Sequence, residues 1–232
     1  AGVKVAAASR YDKPVTIPSE HEIQELLRAA DRLANSKNAQ IAKTWERYRP
    51  MLYLAIDSGM RPQEYLVVAR SSFDDRGVRV DRALDAGGKK ISVTKTVSGR
   101  YYADRIATDN EFDLAFPTAN GRWLSSNNWR RRGFVAACRE AGLVTTEEVD
   151  GEIVETPKYK PYDLRHFYAS MLIENQVNLK RIQKLMGHAD IQTTLNVYGH
   201  VIERVEFEQE SRTCLISGLG QNSCGKSVAS SL

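Results

Sequence analysis

The residues best suited to chemistry lie in Leu185-Met186-Gly187-His188-Ala189-Asp190-Ile191-Gln192-Thr193-Thr194-Leu195-Asn196-Val197-Tyr198-Gly199-His200. Here His188 follows a Gly of the kind that ends a helix, and ten residues later Tyr198 stands beside another Gly. Two readings fit this spacing. One is a helix-turn-helix that reads base edges, with Gly187 in the turn. The other is a nucleophilic Tyr198 with His188 held near the same phosphate. Breaking a phosphodiester without a metal needs a nucleophile, charge stabilisation and a proton donor. A free tyrosine titrates at about 10, so as a nucleophile it needs a base or strongly cationic surroundings. Guanidinium forks stabilise the non-bridging oxygens, and a lysine can protonate the leaving oxygen. Arg61, Arg165 and Lys95 are the cations to weigh. Two of them also have ordinary roles: Arg61 as a surface Arg in a loop, and Lys95 as a solvated Lys protecting a strand edge.

The elements that must position them read as mostly helical. Ser19 and Glu22 have capping-box spacing, and Ile23, Leu26, Leu27, Ala30 and Leu33 follow at helical period. A second helix covers about residues 39–58, with Pro50 starting or kinking its last part, and Gly59 stops it. Pro62 suits the first turn of the next helix, which puts Arg61 at its start. Val78/Val80, Ile91/Val93 and Tyr102/Ile106 predict a three-stranded antiparallel meander, with Lys95 near the turn between its second and third strands. Residues 122–142 carry Arg122, Arg130, Arg131, Arg132 and Arg139 against the single acid Glu140. That is either a solvated helix face, capped by Ser125 or Ser126 and ended by Gly142, or one that contacts phosphates. Trp123 and Trp129 read as packing residues. Asp150-Gly151 predicts a hairpin whose many acids turn it away from any DNA. Asp163 is a plausible N-cap, which places Arg165 in a first helical turn, where free backbone N–H groups favour an anion. Asn178 caps another helix ending at Gly187, Asp190 caps a short segment leading to Tyr198, and residues 201–213 read as a further helix.

Bulk properties set bounds. The 232 residues, 42% hydrophobic and 27% charged, suffice for a sizeable core. The net charge of +4 permits a nucleic-acid partner without demanding one. No apolar run approaches the roughly 20 residues of a membrane span. Residues 1–10 are too poor in apolar length for a signal peptide. Cys138, Cys214 and Cys224 are unevenly spaced, which fits a reducing, cytoplasmic setting. Gly220, Gly225, Lys226 and Ser227 match a phosphate-binding loop, but only five residues follow Ser227, too few for the helix such a loop needs. The four histidines lack metal-ligand spacing. Neither a nucleotide nor a metal cofactor is expected.

Four boxes, in order, resemble the catalytic domain of the tyrosine recombinase (phage integrase) family. Asp57-Ser58-Gly59-Met60-Arg61-Pro62-Gln63-Glu64 looks like the first catalytic-Arg box, and Thr94-Lys95-Thr96 like the β-hairpin Lys. Tyr162-Asp163-Leu164-Arg165-His166 looks like the second-Arg box, and Leu185–His200 like the final His and nucleophile box. The resemblance runs from about Pro14 to His200. It implies an α+β, mainly α domain with a small three-stranded antiparallel sheet. It implies catalytic roles for Arg61, Lys95, Tyr162, Arg165, His188 and Tyr198, and a metal- and ATP-independent 3′-phosphotyrosyl intermediate. The Arg122, Arg130, Arg131 and Arg132 face would bind DNA. His166 would be structural, and Glu64 a partner for an Arg. The family usually has His or Lys where this chain has Tyr162.

The resemblance further implies double-stranded DNA as partner and a homotetramer on DNA, monomeric or weakly associated when free. The expected organisation is a linker over residues 1–18, a catalytic domain over 19–213 and a flexible tail over 214–232, with a DNA-binding domain upstream of this chain. The alternatives are a non-catalytic helix-turn-helix protein, including a degenerate recombinase, and a type IB topoisomerase.

Overall fold

The computed structural model describes residues 15–75, 77–98, 110–149 and 151–221, with backbone only for 93–98, 149 and 210–221. Helix α1, Glu20–Ala34, opens on the expected capping box: Ser19 Oγ accepts from Glu22 N at 3.3 Å, and Ser19 N donates to Glu22 Oε2 at 2.9 Å. Helix α2, Ala39–Ser58, contains Pro50 and buries Trp45, Tyr48, Met51, Leu52 and Leu54. It ends at Gly59, whose φ of 61° is left-handed. A Cβ there would also lie 2.3 Å from Tyr168 Cδ1, so the position needs glycine twice over.

The short helix α3, Pro62–Tyr65, leads to a sheet of order β1-β2-β3, with β1 at Phe73–Asp74, β2 at Gly77–Leu84 and β3 at Ile91–Ser98. Both pairings are antiparallel. The sheet is three-stranded, but its first strand is the two-residue β1; the strand expected around Tyr102 and Ile106 lies outside the described residues. Lys95 lies within β3, and the turn expected after that strand reaches residues outside the described ones. Val80 pairs with Thr96 and Arg82 with Val93, so Thr94 and Lys95 together oppose the single residue Asp81. This is a β-bulge within β3, a device that breaks the side-chain alternation and re-aims a residue.

The basic segment is not one regular helix. Ser125 caps α4, Ser126–Asn128, a π-helical turn follows over Trp129–Phe134, and α5 covers Val135–Glu140. The widened turn seats Trp129, 1% exposed, whose Nε1 donates to Tyr65 Oη at 2.8 Å. Gly133 makes room for it: a Cβ there would lie 2.4 Å from the indole ring. Trp129 therefore packs, as expected, and Trp123 donates to the Gly88 carbonyl at 3.2 Å. The hairpin forms from β4, Val144–Val149, and β5, Glu152–Pro157.

Three helices complete the chain: α6 at Asp163–Glu174, α7 at Leu179–Met186 and α8 at Ile191–Gln221. Asp163 does not cap α6. Tyr162 occupies the N-cap position without a side-chain cap bond, while Asp163 Oδ2 accepts from Lys160 N at 2.8 Å in the preceding turn. The segment to Tyr198 and the helix expected at 201–213 are one continuous α8, because Gly199 keeps helical geometry. Residues 214–221, expected as tail, continue its backbone helix.

Two apolar clusters result. The larger gathers α1, α2, the sheet and Trp129; the smaller joins Ala169, Ile173, Ile182, Met186, Tyr198 and Val201. Helix α6 belongs to both, with Leu164 and Phe167 in the first and Ala169 and Ile173 in the second. Arg165 sits on the helix that forms the seam.

Candidate active site

Arg165 organises the seam. It is 3% exposed, and its Nη1 donates to the Gly59 carbonyl at 2.5 Å while its Nη2 donates to the Met186 carbonyl. Those carbonyls lie at the C-terminal ends of α2 and α7, where unpaired acceptors and the helix dipoles favour a cation. One guanidinium thus fastens the turn that presents Arg61 to the turn that presents His188. Its pKa is lowered, first by burial and then by the like charge of Arg61.

Arg61 is held at the mouth. Its Nη1 donates to Glu64 Oε1 at 2.9 Å and its backbone N to Glu64 Oε2 at 2.6 Å. Glu64 is 4% exposed and is the expected partner of an Arg. Burial works against the Arg61 charge, but Glu64 and the Tyr162 hydroxyl outweigh it and raise its pKa. Two guanidinium charges therefore share a partly desolvated site, an arrangement that an arriving phosphate would relieve.

Three aromatic rings line the other side. Tyr162, 41% exposed, meets His166 edge-on with centroids 5.3 Å apart. His166 in turn meets Tyr198 at 5.7 Å, and His166 Nδ1 lies 2.8 Å from the Tyr198 hydroxyl. Tyr198 is only 1% exposed; burial pushes its pKa up, while Arg165 pulls it down. Across the site, Gly187 ends α7 at a φ of 59°, which lets the chain turn so that His188 reaches the cluster. His188 Nδ1 bonds Thr194 Oγ1 at 2.9 Å, and Thr194 is fully buried. Gln183 Nε2 holds the same turn by donating to the His188 carbonyl at 3.1 Å and the Ala189 carbonyl at 3.3 Å.

The structure thus brings Arg61, Tyr162, Arg165, His188 and Tyr198 together. Lys95 is described by its backbone only: it lies on the β3 bulge, and β3 packs against α7. The sequence pointed to no role for Gln183 or Thr194, and the resemblance made His166 structural, whereas its Nδ1 meets the Tyr198 hydroxyl. For His166 a signal existed: it lies four residues after Tyr162, hence on the same helical face.

The basic face divides. Arg131 and Arg132 join Asn128, Val135 and Arg139 around a recess of about 340 Å³. Arg130 is exposed beside them, and Arg122 lies apart, with its guanidinium 5.9 Å from the Phe112 ring centre. Arg139 pairs with Glu155 at 3.3 Å, so one acid of the hairpin adjoins this face.

Residues 19–204 match the phage integrase family. This chain is a member of the phage integrase family. Tyrosine recombinase XerD of Brucella suis is 51% identical over 216 residues, covering 84% of this chain and 62% of that protein. Tyrosine recombinase XerD of Bradyrhizobium diazoefficiens is 27% identical over 194 residues, 78% of this chain and 58% of that protein. The integrase-family chain therefore spans about three fifths of these relatives' length. Its fold is like that of the XerA recombinase, with TM-score 0.56, 18% identity, and 87% of this chain and 66% of that one covered. It is also like the Tn1549 transposon integrase solved in complex with transposon right end DNA, with TM-score 0.59, 16% identity and 86% and 67% covered. The mainly helical domain with a small antiparallel sheet is the integrase-family fold.

Two site histidines make the stability of this integrase-family domain sensitive to acid. Burial first, then Arg165, lower His166 from 6.5 to about 4; His188 falls to about 4 through burial, then Arg165, Arg61 and His166. Between pH 6.5 and 4 the unfolded chain therefore binds more protons than the folded one. Their stabilising contribution is complete above pH 6.5 and is lost as the pH falls toward 4. Glu22, lowered from 4.5 to about 2 against the opposing effect of burial, acts only in a more acidic window. The melting temperature is expected to fall by several degrees from pH 6.5 to 5, and by less in His188→Gln. No change in the wild-type chain over that interval contradicts two neutral histidines.

Proposed function

We propose that this chain cuts and rejoins double-stranded DNA through a covalent bond between Tyr198 and a 3′ phosphate, using neither metal nor nucleotide. The observation that carries the reading is Arg165 fastened to both the Gly59 and Met186 carbonyls, which ties the turn carrying Arg61 to the turn carrying His188, with Tyr198 near enough to feel the Arg165 charge. In this reading Arg61 and the remaining N–H groups of Arg165 grip the non-bridging oxygens. Their charge is worth most in the pentacoordinate transition state, where negative charge builds up. His188, with Nδ1 tied to Thr194, offers Nε2 to a phosphate oxygen. Lys95 protonates the departing 5′ oxygen. The phosphotyrosyl bond conserves the energy of the phosphodiester, so rejoining needs no ATP. Tyr198 is buried, so its hydroxyl must be uncovered before an external phosphate can meet it.

Arg130, Arg131 and Arg132 belong, in the same reading, to a surface that follows the DNA backbone, with Arg122 contributing separately. The relatives named as recombinases, and the transposon integrase solved with DNA, support double-stranded DNA as the partner. Assembly as a tetramer on DNA, and a monomer or weak oligomer away from it, belongs to the proposal.

The test uses duplexes with a randomised core and a nick a few bases from each possible cut. The short product then diffuses away and traps any covalent complex. Denaturation-resistant complexes are expected in chelator and without nucleotide, and sequencing them gives the preferred duplex. Binding with no covalent complex would favour a DNA-binding protein without catalysis. Relaxation of supercoils at undefined sites would favour a topoisomerase.

A further inference from the structure

We propose that His166 accepts the Tyr198 proton, a catalytic role placed one helical turn along α6 from position 162. It rests on the reading of Tyr198 as nucleophile and supplies the base that reading lacks. Among the described residues, His166 Nδ1 is the hydrogen-bond partner of the Tyr198 hydroxyl, at 2.8 Å. The other groups at the site serve poorly. Arg61 and Arg165 are permanent cations and accept no proton. His188 has its Nδ1 engaged by Thr194. Tyr162 sits where the family usually has a titrating residue, but its phenol is a much weaker proton acceptor than an imidazole.

The surroundings also time the transfer. His166 is faced by Tyr162 and Arg165 from its own helix, by Tyr198 from α8 and by His188 from the turn after α7. Burial and the Arg165 charge keep its imidazole neutral at physiological pH, so with hydrogen on Nε2 it presents a free lone pair at Nδ1. At rest, proton transfer from a buried phenol to this imidazole is unfavourable. A bound phosphate changes both sides of the balance. Its negative charge offsets Arg165 and Arg61, which makes an imidazolium tolerable, and the phenol becomes acidic as its oxygen bonds to phosphorus.

In the forward step the Tyr198 O–H bond breaks as the O–P bond forms, and the proton moves to His166 Nδ1. The bond from phosphorus to the 5′ oxygen breaks, its electron pair leaves on that oxygen, and an acid, assigned above to Lys95, protonates it. In rejoining, the 5′ hydroxyl attacks, the Tyr198 oxygen leaves, and His166 returns the proton.

The test is single-turnover formation of the covalent complex on the duplex selected with the wild-type chain. His166→Asn places an amide where Nδ1 was, so it keeps a hydrogen bond without basicity. It is expected to slow the step by about 10²-fold or more, in the range typical of lost general-base catalysis. The loss should persist when sulfur replaces the departing 5′ oxygen, because a thiolate needs no acid; a Lys95→Ala defect should be rescued by that sulfur. Melting temperature and DNA affinity, measured alongside, should stay close to wild type. A wild-type rate for His166→Asn overturns the proposal. If the variant does not fold, the wild-type chain decides on the sulfur substrate. Its rate should be flat from pH 6 to 9, since the proton passes within the Tyr198–His166 pair. A rise of about tenfold per pH unit would mean that Tyr198 ionises to solvent, and overturns it. If the wild-type chain forms no covalent complex, the reading of Tyr198 as nucleophile fails first.

Discussion

Replacing Tyr198 with Phe is expected to remove covalent capture of DNA entirely while leaving the fold and DNA affinity near wild type. The change deletes one oxygen from a side chain that is 1% exposed and packed among Ala169, Ile173, Ile182, Met186 and Val201. The ring stays, so no cavity of consequence opens. The hydrogen bond to His166 is lost, at a typical net cost of about 1 kcal/mol. Against that small structural effect stands the loss of the one protein atom that the proposed mechanism bonds to phosphorus. Covalent complex should fall below detection at any incubation time, with gel-shift affinity within a few-fold of wild type. Covalent capture by Tyr198→Phe would remove Tyr198 from its assigned role.

The second large effect is expected at Arg165. In Arg165→Ala the transition state loses a fork of donors. Each such donor is typically worth about 10² to 10³ in rate, so a fall of at least about 10³-fold is expected. Stability should suffer less. Two charge-assisted hydrogen bonds, to the Gly59 and Met186 carbonyls, disappear. Their loss is partly offset because a buried cation repelled by Arg61 disappears too. The rate should therefore drop far more than the melting temperature. Arg165→Lys restores charge but cannot reach both carbonyls from one ammonium, so it should recover only a small part of the rate. Retention of the wild-type rate within tenfold in Arg165→Ala, measured as single-turnover capture, would contradict the role given to this residue.

What could be read from the residues alone was the chemistry of near neighbours. The Ser19/Glu22 capping box, the left-handed turns at Gly59 and Gly187, and the Asn178 cap each depend on groups a few residues apart. The four boxes and their order were legible only through the family resemblance. What was not legible depends on packing. That Arg165 would use its guanidinium on the carbonyls of Gly59 and Met186 follows from where α2 and α7 end in space, 106 and 21 residues away. The π-helical turn exists because Trp129 must fit between Tyr48, Tyr65 and Gly133. The bulge at Thr94 and Lys95 is a matter of register between strands, which a single strand's pattern does not contain. His166 was made structural by the family resemblance alone. Its contact with Tyr198 spans 32 residues, and only the docking of α8 on α6 creates it.

The central claim is that four separated boxes form one site whose nucleophile is Tyr198. The most direct test digests the trapped wild-type complex and sequences the peptide that carries the nucleotide by tandem mass spectrometry. The nucleotide remnant should sit on Tyr198, linked through a 3′ phosphate. A remnant on any other residue, Tyr162 included, or one linked through a 5′ phosphate, would contradict it.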